Sequence, residues 1–264
     1  MMATMATMCL ILTSTSALSL APLRSSGFQV IPDFFASSEV KALKEDVSIL
    51  HSEGRFAVAG VGEANTNRVA EDVRRCEQCF LFPRVKHGSG GHQPGRKLLY
   101  DTLSTLQANI QEETGQALDG LLTEGLYAQY PSGGYYRRHV DSVPGTPQEI
   151  RKFSYLLYCN EAWQPSDGGC LRIHTDGGGE TAPAGAPSSF VDIEPRAGTL
   201  VVFRSDVPHE VLDTSAPRLA VAGWFNAPQG GSNERRTLIA ALSGALVIGG
   251  AIKFTAGLFD AGAH

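Results

Sequence analysis

The sequence has no excess of basic residues. Its 264 residues include 22 Lys and Arg against 27 Asp and Glu, which gives a formal net charge of -5. Proteins that bind nucleic acid usually carry a positive patch, so we expect no nucleic-acid partner. Hydrophobic residues make up 42% of the chain and charged residues 19%, which is typical of a folded globular protein.

Cysteine is also scarce. The chain has five cysteines, an odd number, and Cys9 lies in a segment that processing could remove. The other four are too few for a dense disulfide framework. Cys76 and Cys79 form a CxxC without a second pair, which argues against a zinc ribbon. We therefore expect ordinary thiols.

No acidic residue precedes Asp33, and the amino terminus is rich in Ser, Thr and Ala. This composition predicts a targeting segment over residues 1–26, with cleavage near Ala17 or Ala21. A secretory signal would place a basic residue early, whereas the first here is Arg24. The stretch SALSLAP followed by arginine resembles the presequences of algal plastid proteins, and the resemblance implies import.

The carboxyl terminus changes character abruptly. A Gly-rich linker over residues 227–236 precedes an apolar stretch at 237–259, in which Lys253 is the only charge. We interpret this stretch as a candidate transmembrane helix, and the alternative is a hydrophobic helix packed on the domain. Arg235 and Arg236 before it would place the folded domain on the cytoplasmic or stromal side. The expected location is a membrane of an organelle such as the plastid, or an endomembrane.

Helical patterns come first along residues 27–226, and β patterns follow. After a strand in FQVIPDFF, the sequence predicts a helix from an N-cap at Ser37 to about Leu50, a strand at Phe80 to Lys86, a loop at 87–96 and a helix at 98–122. Beyond Tyr127, eight short β runs follow: LYAQY, YRRHVD, FSYLLYC, CLRIH, FVDIEP, TLVVFR, HEVL and LAVAGWF. This order predicts a mostly β domain in which helices support a double-stranded β-helix, a cupin-like jelly roll.

Four residues carry the chemical signal. Two neutral imidazoles and one carboxylate can bind one face of Fe(II) and leave three positions open, and His139, Asp141 and His209 supply such a set. Alternate residues of a strand share a face, so His139 and Asp141 are expected to reach one metal. Arg218, shortly after His209, suits a carboxylate ligand.

The surrounding sequence strengthens this signal. The stretch YAQYPSGGYYRRHVDSVPGTPQEIRKFSYLLYCNEAW and the later PHEVLDTSAPRLAVAGWFN resemble the prolyl 4-hydroxylase branch of the 2-oxoglutarate and Fe(II) dependent oxygenases, closest to the hypoxia-inducible-factor prolyl hydroxylases. The resemblance implies the jelly-roll fold and hydroxylation of an unactivated C–H bond, with a peptidyl proline as substrate and succinate and CO2 as products. It also implies Fe(2+), 2-oxoglutarate, O2 and ascorbate as cofactors or co-substrates, and a peptide or protein partner.

The resemblance assigns roles to single residues. Arg218 would bind the distal carboxylate of 2-oxoglutarate, with Tyr158 as a second donor and Tyr130 near the co-substrate. Trp224 matches a tryptophan that lines the pocket, or it belongs to the core. His174 matches no ligand position, and we expect it at the surface. The arginines of YYRRH are expected on a solvated strand face.

Three alternatives remain open. A small-molecule hydroxylase of the same superfamily, such as one acting on a free amino acid, would share the metal set. A jelly-roll binding module would retain the residues without turnover. A cupin of different chemistry would share the fold, but it would have no need of Arg218.

Overall fold

A computed structural model describes residues 19–60, 69–82, 93–175 and 189–229 of the chain. The chain divides into two units, Met1–Pro228 and Gln229–His264, and every helix and strand of the described residues lies in the first. The helices are α1 (Ala21–Ser25), α2 (Ser37–Ser52) and α3 (Gln93–Thr114), with short 3-10 turns at Pro147–Ile150 and Pro165–Asp167. The strands are β1 (Phe28–Ile31), β2 (Ala57–Val58), β3 (Arg74–Arg75), β4 (Glu77–Phe82), β5 (Glu124–Tyr130), β6 (Tyr135–His139), β7 (Arg151–Tyr158), β8 (Leu171–His174), β9 (Phe190–Ile193), β10 (Leu200–Arg204), β11 (His209–Val211) and β12 (Arg218–Asn226).

The strands form two antiparallel sheets. The larger sheet has the order β1-β10-β7-β12-β5-β4-β2, and the smaller has the order β3-β6-β11-β8-β9. From β5 to β12 the chain crosses between the sheets after each strand, except at the β8–β9 hairpin. This alternation is the topology of a double-stranded β-helix, so the predicted jelly roll is confirmed.

Strand β7 shows how one sheet supports two cores. Successive residues of a strand point to opposite faces. Tyr155 and Leu157 accordingly lie in the cluster that contains the buried side chains of α2 and α3. Leu156 and Tyr158 lie in the cluster on the other face, which includes residues of the smaller sheet. The helices therefore cover one face of the larger sheet, and the space between the sheets is left for the second core and the site.

The two long helices depart in detail from the sequence prediction. Helix α2 starts at Ser37, but Ala36 is the N-cap, and its N–H donates to the Glu39 carboxylate at 2.7 Å. The prediction of Ser37 as the cap was wrong. Helix α3 covers Gln93–Thr114 rather than 98–122. It ends at Thr114 because Gly115 adopts a φ of 70°. That left-handed conformation ends a helix readily only at glycine.

Each of the eight β runs predicted beyond Tyr127 contains a strand, although β6 ends at His139 rather than Asp141, and β1 is also confirmed. The strand predicted at Phe80 to Lys86 overlaps the end of β4, and residues 83–86 lie outside the described residues. The predicted loop at 87–96 falls partly outside the described residues, and its last four residues are helical. Strands β2 and β3 were not predicted, because two-residue strands carry no periodic signal.

The described amino-terminal residues pack on the domain. Leu20 directly precedes α1 and Leu23 lies within it. Both side chains are 1% exposed and belong to the main core. The folded structure therefore includes residues that precede the expected boundary at residue 26. Residues 1–18, which hold most of the predicted targeting segment, lie outside the described residues.

None of the helices in the described part of the chain combines the length and apolar character that crossing a membrane requires. The predicted membrane segment at 237–259 lies outside the described residues, as does most of the linker at 227–236. The four described cysteines, Cys76, Cys79, Cys159 and Cys170, are free thiols, as expected.

Candidate active site

Two histidines meet across the smaller sheet. His139, the last residue of β6, pairs with His209, the first residue of β11, and their ring centroids are 4.2 Å apart. The next pair is Val211 with Tyr136, so β6 has one residue more than β11 between the two pairs. This β-bulge brings Tyr136 and His139 together, and their rings stack at 3.6 Å between centroids. No sequence pattern indicated this bulge.

Both imidazoles are oriented in the same way. The Nδ1 atom of His139 lies 2.8 Å from the carbonyl oxygen of Arg137, and that of His209 lies 2.9 Å from the carbonyl oxygen of Val207. A carbonyl oxygen only accepts, so each Nδ1 carries the hydrogen in the neutral ring. Each Nε2 then presents a lone pair. In both cases the carbonyl lies two residues before the histidine, so short local contacts set the tautomer that a metal ligand needs.

Asp141 reaches the histidines from a bend rather than from a strand. Strand β6 ends at His139, so the expectation that alternation along one strand aligns His139 and Asp141 was wrong. The backbone N–H groups of Asp141 and Ser142 both donate to the carbonyl oxygen of Ser205 at 2.9 Å. Ser205 follows β10 of the larger sheet. The position of Asp141 therefore depends on a contact between sheets.

Hydrogen bonds fix the carboxylate. The Ser154 hydroxyl donates to Asp141 Oδ2 at 2.6 Å and meets the Ser205 hydroxyl at 2.9 Å. Oδ1 of Asp141 lies 3.7 Å from His139 Nε2, and Oδ2 lies 3.6 Å from His209 Nε2. Sequence reasoning missed both serines. Their one signal is a polar side chain within or beside an apolar strand.

The pKa shifts favour the protonation states that bind metal. Burial, followed by the neighbouring His209, lowers the pKa of His139 to about 3. Burial alone would raise the pKa of Asp141, but His209, His139 and hydrogen bonding by Ser154 and Trp224 outweigh it, and that pKa is lowered. At neutral pH the His139 imidazole is therefore neutral and the carboxylate is ionised.

Within the described ranges, His139, Asp141 and His209 are the one set of three or more potential ligand residues whose donor atoms converge, all within 4.8 Å of one another. Two nitrogen donors and one carboxylate are the donor set of non-haem Fe(II) oxygenases. The residues thus fit a ferrous ion, and the sequence-predicted ligands are brought together.

Arg218 presents an unsatisfied charge in the interior. Its side chain lies at the start of β12, is 2% exposed, and donates from Nε to the carbonyl oxygen of Gly169 at 2.8 Å. Both terminal nitrogens are buried without a hydrogen-bond partner. A buried guanidinium with free donors is costly unless an anion pairs with it. The planar pair of nitrogens matches a carboxylate.

Two tyrosines flank this guanidinium. The Cζ atom of Arg218 lies 5.0 Å from the ring centroid of Tyr130 and 5.1 Å from that of Tyr158. The Tyr158 hydroxyl is buried and makes no hydrogen bond of good geometry, although Arg218 is close enough to influence it. Burial raises the pKa of Tyr158 to about 12 and also raises the pKa of Tyr130. Both phenols therefore keep their protons, and the Tyr158 hydroxyl, which has no partner, can donate to an anion.

A pair of glycines makes room for Arg218. Gly168 and Gly169 have φ values of 63° and 71°, which favour glycine. A Cβ on Gly169 would lie 3.0 Å from Cδ of Arg218 and 3.1 Å from Cβ of Thr214. The pair connects the 3-10 turn before β8 to that strand, and it shapes the space around the guanidinium. Sequence reasoning did not single it out.

His174 was placed wrongly. It is 8% exposed rather than at the surface, and its Nε2 lies 3.2 Å from Oε1 of Glu210. The contact with Glu210, on the adjacent strand β11, offsets the cost of burying the His174 side chain. Contacts between strands cannot be read from the sequence. His174 is not part of the converging metal set. Arg137 and Arg138 are exposed, as expected.

Trp224 faces the site from β12. Its indole packs in a cluster with Tyr130 and Tyr136, so the metal set and the Arg218 pocket share an apolar wall. The indole N–H is buried without a hydrogen bond of good geometry, but it contributes to the lowered pKa of Asp141. Trp224 is thus partly buried against this cluster, and its role in lining the pocket stays a prediction.

The comparisons with known proteins agree with this geometry. Residues 125–226 match the family model described as the 2OG-Fe(II) oxygenase superfamily. A hypoxia-inducible factor prolyl hydroxylase of Caenorhabditis elegans is 25% identical over 208 residues, which cover 77% of this chain and 27% of the relative. The chain thus spans about a quarter of the length of that curated relative.

Two solved structures are also similar. A prolyl-4-hydroxylase of Pseudomonas putida has a TM-score of 0.63 and 27% identity, with 79% of this chain and 97% of that chain covered. A prolyl hydroxylase from Trichoplax adhaerens, solved with a hypoxia inducible factor peptide fragment, has a TM-score of 0.62 and 24% identity, with 83% and 89% covered. The second shows the shared fold. Residues 125–226 therefore match the 2OG-Fe(II) oxygenase superfamily, and the converging metal set and the unpaired guanidinium fit that match.

Proposed function

We propose that the protein is a dioxygenase that uses Fe(II), 2-oxoglutarate and O2 to hydroxylate an unactivated C–H bond, with a peptidyl proline as its substrate. The observation that carries the proposal is the pair of unpartnered Arg218 nitrogens beside the unpartnered Tyr158 hydroxyl. A converging His-Asp-His set alone would suit several metal chemistries. A buried cationic fork that lacks an anion adds the need for a carboxylate co-substrate.

Different residues would bind the metal ion and the co-substrate. His139, Asp141 and His209 would hold the ferrous ion. Arg218, assisted by the Tyr158 and Tyr130 hydroxyls, would bind and orient the distal carboxylate of 2-oxoglutarate. Iron and 2-oxoglutarate, when bound, supply the oxidising chemistry that yields succinate and CO2. The side chains of the protein orient these two groups, and Trp224 and its neighbours provide an apolar wall.

The choice of proline as substrate rests on the relatives. The Pseudomonas putida structure is a prolyl-4-hydroxylase, and the Caenorhabditis elegans relative is a prolyl hydroxylase. Ascorbate is proposed as an auxiliary reductant on the same resemblance.

The test is a turnover assay of the full chain with Fe(II), O2 and 2-oxoglutarate against an array of proline-containing peptides. Succinate release coupled to a gain of one oxygen atom in a proline residue is expected. His139→Ala and Asp141→Ala should abolish both, whereas His51→Ala removes an exposed imidazole and should not. Hydroxylation of free amino acids but of no peptide would replace the substrate. No consumption of 2-oxoglutarate under any condition would overturn the function.

We also propose that residues 237–259 attach the enzyme to a membrane, with the plastid as the location. The support is the apolar sequence and the Ser- and Thr-rich amino terminus. Carbonate washing of cell membranes should leave the full chain in the pellet and release a variant that lacks residues 237–264. Release of the full chain by the wash would contradict the attachment.

A further inference from the structure

A carboxylate and a guanidinium form an ion pair outside the metal set, between strands β5 and β7 of the larger sheet. Glu124, at the start of β5, accepts two hydrogen bonds from Arg151, from Nε and from Nη2, both at 2.9 Å. The amide of Asn226 donates to the same carboxylate at 3.2 Å. A two-point contact of this kind fixes the plane of the guanidinium as well as its position. Neither Glu124 nor Arg151 has a role in the site described above.

The guanidinium so fixed lies on an aromatic ring. Cζ of Arg151 is 3.7 Å from the centroid of the Trp224 ring, which is a close cation–π contact. The strand register explains the arrangement, because Trp224 on β12 pairs with Glu124 on one side and with Ser154 on the other. Directly paired residues share a face of the sheet. Glu124, Trp224 and Ser154 therefore form a row across three strands.

Ser154, at one end of this row, contacts the metal ligand Asp141. Ser154 donates to the Asp141 carboxylate at 2.6 Å, and Nη1 of Arg151 reaches the Asp141 backbone carbonyl at 3.5 Å. The buried indole N–H of Trp224 lies close enough to act on the same carboxylate. Asp141 is thus approached by three groups. Two of them, Arg151 and Trp224, are stacked on each other, and Glu124 binds the Arg151 guanidinium of that pair.

We propose that Glu124 is a positioning residue, which holds Arg151 flat on Trp224 and thereby keeps Asp141 oriented as a metal ligand. The inference deepens the proposed function and rests on it. Groups behind a metal ligand commonly change metal affinity about tenfold to a hundredfold when removed. Glu124 acts over two contacts, so the lower end of that range is expected.

The chain contains a matched control for this construction. Asp192 binds Arg172 through two hydrogen bonds, both at 2.8 Å, and Cζ of Arg172 lies 3.8 Å from the Phe190 ring centroid. The chemistry is the same, but Arg172 and Phe190 make no contact with Asp141. Asp192→Asn therefore removes an equivalent carboxylate whose loss should leave the metal set undisturbed.

The experiment titrates Co(II) into the metal-free full chain under anaerobic conditions and follows the visible absorption of the bound ion. Glu124→Gln is expected to raise the Kd for Co(II) about tenfold and to alter the absorption spectrum. Asp192→Asn is expected to change neither. Thermal unfolding of both variants separates loss of stability from loss of metal affinity.

A second variant covers the case in which Glu124→Gln does not fold. Trp224→Phe keeps an aromatic ring under Arg151 but removes the indole N–H, and it should also weaken Co(II) binding and change the spectrum. Unchanged Co(II) affinity and spectrum in folded Glu124→Gln, or failing that in Trp224→Phe, would overturn the inference and leave the proposed function intact. A wild-type chain that binds no Co(II), or binds it equally well as His139→Ala, would overturn both.

Discussion

The hydroxyl of Ser154 donates a hydrogen bond of 2.6 Å to the Asp141 carboxylate, from a different strand and a different sheet than the two histidines that face that carboxylate. Ser154 is 2% exposed, so no water competes for the contact. One lone pair of Oδ2 is thereby occupied, and the remaining lone pairs of the carboxylate are left for a metal ion that the imidazole Nε2 atoms would also bind.

Ser154→Ala should weaken metal binding without removing a ligand. A hydrogen bond to a charged group is worth about 1.5 to 3 kcal/mol, which corresponds to roughly a tenfold to hundredfold rise in the Kd for Fe(II) or Co(II). Ser52→Ala, which removes an exposed hydroxyl from the end of α2, is the control. Equal metal affinity in Ser154→Ala and the wild type would show that the histidines alone orient the site.

Arg218→Ala should raise the KM for 2-oxoglutarate about tenfold to a hundredfold, because it removes a charge-assisted contact with the co-substrate carboxylate. Metal affinity in the absence of 2-oxoglutarate should change little. Steady-state titration with 2-oxoglutarate measures the effect, and Arg137→Ala, which removes an exposed arginine paired with Asp213, is the control. An unchanged KM would move the anion contact elsewhere.

Gly169→Ala should damage the same contact by a steric route. Its φ of 71° strains an alanine by about 1 kcal/mol or more, and the new Cβ would press on Cδ of Arg218. Gly115→Ala is a matched control, because Gly115 has a φ of 70° but has no atom within 4 Å of the added Cβ. Both variants should lose stability, and only Gly169→Ala should raise the KM for 2-oxoglutarate. Equal KM values in the two would remove Gly169 from the pocket.

The metal-free protein should lose stability in acid because of His139. Burial and the neighbouring His209 hold its folded-state pKa at about 3, whereas an unfolded histidine titrates at about 6.5. Between these values the unfolded state binds the extra proton, so this contribution to stability falls as the pH falls from about 6.5 towards 3. Urea unfolding at several pH values should show a shallower dependence of the unfolding free energy on pH in His139→Asn than in the wild type. The same slope in both proteins would contradict the assignment.

Much of the fold could be predicted because its signals are local. The eight runs beyond Tyr127 became strands since apolar and β-branched residues between Gly and Pro clusters specify a strand without regard to its partners. His139, Asp141, His209 and Arg218 could be found because the motif spacing identifies them.

What could not be predicted depends on pairing between distant strands. The bend that carries Asp141 is held by Ser205, and the burial of His174 depends on Glu210. The place of Glu124 beside Trp224 follows from the register of β5 and β12. Sequence periodicity describes one strand at a time, so it contains no register. The end of α3 was missed for a different reason, since apolar spacing continued past Gly115, where the backbone turns away.

The tether between Asp141 and Ser205 has a mechanical consequence. The two histidines belong to the smaller sheet, whereas Asp141 is tied to Ser154 of the larger sheet and to Ser205, which directly follows β10 of that sheet. An ion bound by both histidines and Asp141 would link the two sheets, and the sheets could not separate without releasing the ion. Ligands that bind only the folded state raise the melting temperature in proportion to the logarithm of their excess. Occupancy of the site can therefore be read from a thermal scan, before any turnover is measured.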